Sequence, residues 1–365
     1  MPPRSGSYEV YKFGGASLAD ATAVHAALGI IAAARPTRLV VVVSALAGVT
    51  DRLLALADAA LGGEAHEVAS QWAALLALHR TVGLRVTRAG PTRRALLAHL
   101  AAEFADVRAV LDGVRGLREL TPRTRDFLVA RGEQLSAQLV LAGLRERRVR
   151  AAYVDATSVI PTDGAFGAAF PDLAASDRLA RRRLLPLLRR GVLPVVPGFI
   201  GAAPDGAVVT LGRGGSDLTA TVLARAVRAR RVTLWKDVPG LMTTDPRLVP
   251  SARVIPQLNV REASELAYYG AKVLQPRALI PLARRRIPVF VRPFADPSAP
   301  GTEISTRRTL VRHPVKALSV IRQQAMVTVT GNGMLGVPGI AARTFAALHA
   351  AQVNVAMISQ ASSEH

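Results

Sequence analysis

"RLVVVVSALAGVTDRLLALADAAL", residues 38–61, is the stretch that decides the fold class. It opens with an unbroken apolar run, Leu39 to Val43, and no polar alternation. A strand written this way has both faces covered, as strands of parallel sheets do. From Ala47 onward the same stretch turns into a helix. Strand, short loop and helix in one breath make half of a βαβ unit, so the question is whether the neighbouring sequence repeats it.

It does. Upstream, "YEVYKF" (8–13) is a short strand ending at Gly14 and Gly15, followed by a helical run from Asp20 to about Ala34. Downstream, Glu64 to about Leu117 shows helical periodicity with no strand, a helical hairpin inserted on the core. A long helix follows over 121–147, with Thr121 as N-cap and Pro122 at its first position. Then come the strand "VRAAYVDA", a helix over 171–191 closed by Gly191, and the strand "VLPVVPGFIGA". "GAVVTLGRGG", a helix from Ser216 to about Arg230, and the strand "VTLWKDV" continue the pattern. A helix from Arg261 to about Ala283 and the strand "IPVFVR" complete it. Such alternation predicts a three-layer αβα sandwich around a mostly parallel sheet. Ligands of such sheets bind beyond the carboxyl ends of the strands, and the glycine-rich stretches at 14–15, 198–201 and 212–215 are placed there.

"FADPSAPGTEIS" (294–305) is a Pro/Gly/Ser-rich break and is read as the domain boundary, giving a domain over 1–300 and a smaller segment over 301–365. In the latter, "AMVTVTGNGM", "GIAARTFAALHAAQ" and "VNVAMIS" read as strand, helix and strand. That βαβ piece leaves an open sheet edge, which suggests association through the tail as a homodimer.

The chain has 365 residues, no cysteine, 4% aromatics and a net charge of +21. The absence of cysteine removes disulfides and thiolate chemistry. No apolar run approaches a membrane span, the N-terminus has no apolar signal core, and a cytoplasmic protein is expected. The positive charge is scattered over helix ends without aromatic interleaving, which favours solvated helix termini over a nucleic-acid surface. Of 47 basic residues, only Lys12, Lys236, Lys272 and Lys316 are lysines. Lysine offers a compact point charge where arginine offers a planar fork, so these positions single themselves out.

"KFGGAS" places Lys12 at a strand end before Gly14 and Gly15, an arrangement that brings backbone N–H groups and a cation to phosphoryl oxygens. "TLGRGGSDLTA" (210–220) opens a helix with three glycines, Arg213, Ser216 and Asp217. A helix cap explains the Ser-Asp pair but not the glycines and the arginine. Arg213 suits a carboxylate, and Asp217 suits orienting a lysine or holding a metal-bound nucleotide. "WKDVPGLMTTDPR" (235–247) offers Asp237 and Asp245 to a nucleotide, and "YYGAKVLQP" offers Lys272 to phosphate. Glu133 lies in an otherwise apolar helix and wants a cationic partner. Ser44 and Thr50 end the buried strand of the opening stretch and can hydrogen-bond a small ligand. The seven histidines show no metal spacing, and no Gly-x-Ser-x-Gly elbow appears.

Taken in order, "YKFGGAS", "VVSALAGVTD", "RGEQLSA", "VVPGFIGA", "TLGRGGSDLTA", "WKDVPGLMTTDPR" and "YYGAKVLQPRAL" resemble aspartate kinase, of the amino acid kinase superfamily. The tail resembles the start of an ACT regulatory domain, in wording close to enzymes that fuse aspartate kinase to homoserine dehydrogenase. The resemblance implies transfer of the γ-phosphoryl group of MgATP to the side-chain carboxylate of L-aspartate. Under it Lys12 stabilises the transferring group and Asp217 organises the catalytic lysines. Arg213 and Glu133 hold the substrate carboxylate and ammonium, with Ser44, Thr50, Phe199 and Ser216 around the aspartate. Gly14, Gly15, Lys236, Asp237, Met242, Asp245, Arg247 and Lys272 fall to the nucleotide, with Mg2+ carried by ATP and no metal site of the protein's own. The chain departs from the pattern at Ala16, Lys236, Met242 and Gln275, where the family usually has Thr, Thr, Tyr and His. It carries half of one ACT module where the family has two. An effector site between modules would be incomplete, and feedback inhibition by lysine or threonine is not expected of this chain. The alternatives are another superfamily kinase, a non-catalytic amino-acid-binding relative, or a basic nucleic-acid binder.

Overall fold

The computed structural model describes residues 8–34, 38–268, 273–282, 285–307, 315–329 and 338–359. The first strands are β1 (Glu9–Phe13) and β2 (Leu39–Val43), every β2 residue buried. They pair in parallel, with Lys12 opposite Val42. Between them runs α1 (Ala21–Ala33), whose N-cap Asp20 accepts a hydrogen bond from the Ala23 N–H. The opening stretch continues into α2 (Val49–Gly62), started by Gly48 in the left-handed region at φ +72°.

Next come α3 (Ala65–Val86) and α4 (Pro91–Leu117), the two arms of the expected helical hairpin. The Trp72 indole N–H donates to the Phe104 carbonyl across them at 3.0 Å, and Glu103 ties the hairpin to Arg131 at 2.6 Å. Arg131 belongs to α5 (Pro122–Glu146), capped by Thr121 as its sequence predicts. After it follow β3 (Ala151–Tyr153), α6 (Leu173–Arg189) and β4 (Leu193–Pro197). A hairpin of β5 (Ile200–Ala202) and β6 (Val208–Thr210) leads to α7 (Gly215–Val227). Then come β7 (Arg231–Lys236), β8 (Gln257–Asn259), α8 (Val260–Tyr268), β9 (Val289–Pro293) and β10 (Thr302–Ser305).

The main sheet has the order β3-β4-β2-β1-β7-β9-β10-β8, parallel throughout except between β9 and β10. Alternation along the strands separates two cores. Tyr11, Phe13, Leu39, Val41 and Trp235 face α1 to α5, while Val10, Val40, Val42, Val232 and Leu234 face α6, α7 and α8. This is the expected αβα sandwich, with the sites of interest at the carboxyl ends of β1, β2, β4 and β7.

Three expectations change. The glycines at 212–215 follow β6, which pairs only with β5 in a separate antiparallel sheet. Of the long helix expected from Arg261 to Ala283, the described residues hold α8 up to Tyr268 and no α-helix from Val273 onward. Short 3₁₀ turns at Pro276–Ala278 and Ile280–Leu282 follow it. Pro276 and Pro281 have no N–H to donate, which rules out a continuous helical ladder there. The break at 294–305 contains β10, and the first compact unit runs to Val320.

The second unit, Ile321–His365, holds α9 (Ile340–Ala350), with no buried residue. The strands expected around it do not form at the described positions 325–329 and 353–359. A strand is held by its ladder, and no partner strand accompanies these stretches among the described residues.

Candidate active site

Two adjacent parallel strands deliver the central charges. Lys12 lies on β1 and Lys236 ends β7, with Lys12 opposite Leu234 in register. Both side chains turn to the face covered by α7, whose first turn carries Asp217. Lys12 Nζ stands 2.9 Å from Asp217 Oδ1, and Lys236 Nζ donates to Asp217 Oδ2 at 2.7 Å. Lys12 and Asp217 are buried, at 5% and 3% exposure. Burial holds the Lys12 ammonium below its ordinary pKa; Asp217 opposes that shift and Lys236 adds to it. Burial alone would raise the Asp217 carboxyl, but the two lysines outweigh it and keep it below the usual carboxylate range. The cluster therefore holds two cations against one anion in a low-dielectric site, which is favourable ground for a further anion. A Cβ on Gly14 would stand 3.4 Å from Lys12 Nζ, so the glycine turn after β1 lies directly beside that ammonium.

Glu133 approaches from α5. It is 3% exposed, and burial pushes its carboxyl up to about 8, against the pull of the Ala45 and Glu133 backbone N–H groups and of Lys12. Its Oε2 has no hydrogen-bond partner among the described residues. An unpaired buried carboxylate oxygen is costly and asks for a donor, ideally a cationic one. The neighbouring Gly132 explains the approach. A Cβ there would lie 2.9 Å from the Ala45 Cβ, so only glycine lets α5 close on the loop after β2. Ser44 opens that loop, its N–H donating to the Phe13 carbonyl at 3.1 Å, and Thr50 sits in the first turn of α2.

The N-terminus of α7 is packed just as closely. A Cβ on Gly198 would meet the Ser216 Cα at 2.9 Å, and one on Gly215 would meet the Phe199 ring at 2.8 Å. Phe199 itself has φ +69°, a conformation that costs a non-glycine residue about 1–2 kcal/mol. It is held there from both sides: its N–H donates to Thr219 Oγ1 at 3.1 Å and its carbonyl accepts from the Leu211 N–H at 2.7 Å. Gly212 (φ +71°) and Gly214 (φ +74°) flank Arg213, which is exposed and has no salt-bridge partner among the described residues. The N-cap of α7, Gly214, brings no side-chain cap, so the helix presents free N–H groups at this end.

The remaining nucleotide candidates stand on the loop after β7. Asp237 is exposed, Met242 forms a bridge with Val254, and Asp245 binds the Arg247 guanidinium at 2.7 Å. Lys272 lies outside the described residues. Among the described residues no group of three or more His, Cys, Asp or Glu side chains converges on a metal position.

Sequence reasoning missed Asp126, which is 4% exposed on α5. It accepts hydrogen bonds from the Gly167 N–H (2.9 Å), the Thr210 N–H (2.7 Å) and Thr210 Oγ1 (2.9 Å). Thr210 leads directly into the loop of Arg213. The signal was the one that exposed Glu133, a carboxylate in an apolar helix. Lys236 was read as a nucleotide contact, and its bond to Asp217 was not foreseen.

Residues 8–293 match the family model for the amino acid kinase family. The chain belongs to the amino acid kinase family. Residues 327–365 match an ACT domain. Lysine-sensitive aspartokinase 3 of Escherichia coli (strain K12) is 38% identical over 96% of this chain and 75% of its own length. A chloroplastic bifunctional aspartokinase/homoserine dehydrogenase 1 of Arabidopsis thaliana is 33% identical over 100% of this chain. The chain spans only 40% of that relative's length. A crystal structure of E. coli aspartokinase III in complex with aspartate and ADP superposes with a TM-score of 0.85 at 36% identity. That match covers 97% of this chain and 76% of the other. Within the family, the relatives named here are aspartokinases.

Proposed function

We propose that this chain transfers the γ-phosphoryl group of MgATP to the side-chain carboxylate of L-aspartate, giving 4-phospho-L-aspartate and ADP. The observation that carries this is the meeting of the Lys12–Asp217–Lys236 cluster with the unpartnered oxygen of Glu133. One end of the site lacks an anion and the other lacks a cation, and an amino acid receiving a phosphoryl group supplies both. Similarity to an aspartokinase crystallised with aspartate and ADP supports the choice of substrates.

In this reading the substrate ammonium sits on Glu133 and its α-carboxylate on Arg213. Ser44, Thr50, Phe199 and Ser216 shape the pocket between them. A side-chain carboxylate oxygen attacks the γ-phosphorus, a new P–O bond forms, and the bond to ADP breaks. The carboxylate is already ionised, so attack needs no general base. Charge spreads over the three equatorial oxygens of the group in flight. Lys12 and Lys236 meet that charge, and Asp217 fixes their position. Gly14, Gly15, Asp237, Met242, Asp245, Arg247 and Lys272 are assigned to the nucleotide. Mg2+ enters on the ATP phosphates as part of the substrate, in keeping with its preference for phosphate oxygens over an all-protein cage. The described helices include none long and apolar enough to cross a membrane, and we place the enzyme in the cytoplasm. A homodimer, and an amino-acid effector acting through a complete ACT module, belong to the same proposal.

The test is MgATP-dependent aspartyl hydroxamate formation, with glutamate, N-acetylglutamate and UMP assayed in parallel by ADP release. Aspartate is expected to be the acceptor, and Lys12→Met to lose on the order of a hundredfold or more in kcat. Turnover of another acceptor in preference to aspartate refutes the assignment.

A further inference from the structure

Behind Lys12 and Lys236, on the opposite face of the sheet, lies a cavity of about 830 Å3. Its floor is made by the same two strands. Tyr11 and Trp235 line it, and each is the chain neighbour of a lysine that turns the other way, Lys12 and Lys236. One wall is the end of α1, with Ile30 and Ala33. The rim carries four arginines, Arg38, Arg230, Arg231 and Arg292, against one acid, Glu9. Glu9 is already spent: Arg230 and Arg231 both bind it, and they hold its carboxyl below the usual range against the effect of burial. Among the described residues Arg292 donates only to backbone carbonyls, those of Pro297 and Ala299, while its guanidinium lies 5.2 Å from the centre of the Trp235 ring. Arg38 makes no ion pair among the described residues. Trp235 is 2% exposed, yet its indole N–H has no acceptor. Tryptophan buried this deeply ordinarily finds one.

We propose that this cavity is a second ligand site, distinct from the phosphoryl-transfer centre, for a small organophosphate with a flat or apolar body. Every unspent polar group of the lining is a donor or a cation, so the ligand must be rich in acceptors and anionic. Arginine forks match phosphate. The aromatic floor and the aliphatic wall of α1 take the body. The volume falls within the range of small-molecule pockets.

Binding is read by calorimetry on the full chain at low salt, with phenyl phosphate as probe and inorganic phosphate and benzoate for comparison. This requires no kinase turnover, so it stands or falls apart from the proposed reaction. One saturable site is expected for phenyl phosphate, weaker for either comparison compound. Affinity should fall at least tenfold in Arg38→Gln/Arg292→Gln. Lys12→Met should leave it unchanged. Absence of saturable binding to the wild type overturns the proposal without recourse to any variant. So does binding that survives the double arginine substitution, or that Lys12→Met abolishes, since the probe would then sit elsewhere.

Discussion

Glu133→Gln should make the ligand-free protein more stable as the pH rises, while it damages substrate binding. The Glu133 carboxyl is buried, and burial raises it from 4.5 to about 8. The sign follows from proton counts. Between these two values the folded state keeps a proton that the unfolded chain has released, so the wild type loses stability as the pH rises through this window. Glutamine does not titrate. The stability difference between the variant and the wild type therefore widens by about 1.4 kcal/mol per pH unit. It levels off above pH 8 at up to about 5 kcal/mol, the full span from 4.5 to about 8. Urea denaturation of both proteins at intervals from pH 4.5 to 9 measures it directly. Aspartate should reverse the ranking, because its ammonium favours the ionised carboxylate of the wild type and finds only a neutral amide in the variant. At pH 7 substrate binding should also release a proton from Glu133, visible as a calorimetric heat that depends on the buffer. A stability difference that stays flat across the window, or a variant that is less stable than the wild type at pH 8.5, would refute the reasoning.

Gly132→Ala places a methyl group 2.9 Å from the Ala45 Cβ, so α5 must withdraw. Overpacking of about 1–3 kcal/mol is partly offset by about 1 kcal/mol of helix propensity, and the expected result is a small stability change with a large rise in KM for aspartate. Asp126→Ala strips acceptors from two backbone N–H groups and the Thr210 hydroxyl, which should cost about 3 kcal/mol or more in urea denaturation. Lys236→Met removes a cation that helps to depress the Lys12 pKa, so the alkaline limb of the pH–rate profile should move upward while kcat falls about tenfold or more.

Backbone alternation made most of the architecture legible. An apolar run as continuous as Leu39–Val43 has one sensible place, inside a parallel sheet, and the capped helices from Asp20 and Thr121 begin where their sequences begin them. Failures came where local signals compete with long-range pairing. "FADPSAPGTEIS" looked like a linker because its prolines and glycines are visible locally, whereas the pairing of Thr302 with Val291 depends on a strand that precedes it. The 261–283 segment kept helical periodicity while its prolines broke the ladder. At the site, the glycines and charged residues could be named from their motifs, but contacts such as Lys236 to Asp217 join residues 19 positions apart on different elements. No spacing rule reports them. The close approach of Gly132 to Ala45 is invisible for the same reason, since a helical glycine looks like a weak spot until the neighbour it admits is known.

The charges of the site explain why its two halves are built together. At neutral pH Glu133 is held largely protonated by its burial, so the Lys12–Asp217–Lys236 cluster keeps one cation in excess, apart from Arg213, the cation assigned to the substrate α-carboxylate. On the proposed function, aspartate brings an ammonium and two carboxylates and expels the Glu133 proton, so that Glu133 matches the ammonium and Arg213 the α-carboxylate. The excess cation of the lysine cluster is then left to meet the side-chain carboxylate and the phosphoryl group it attacks. Had Glu133 been ionised from the start, its charge would have offset the excess of the lysine cluster and weakened the attraction for nucleotide phosphates. Had a neutral residue stood in its place, the substrate ammonium would have been buried without a counter-charge, at a cost of several kcal/mol. A buried carboxyl that titrates near neutrality satisfies both conditions. An enzyme that receives a polyphosphate beside an amino acid needs both.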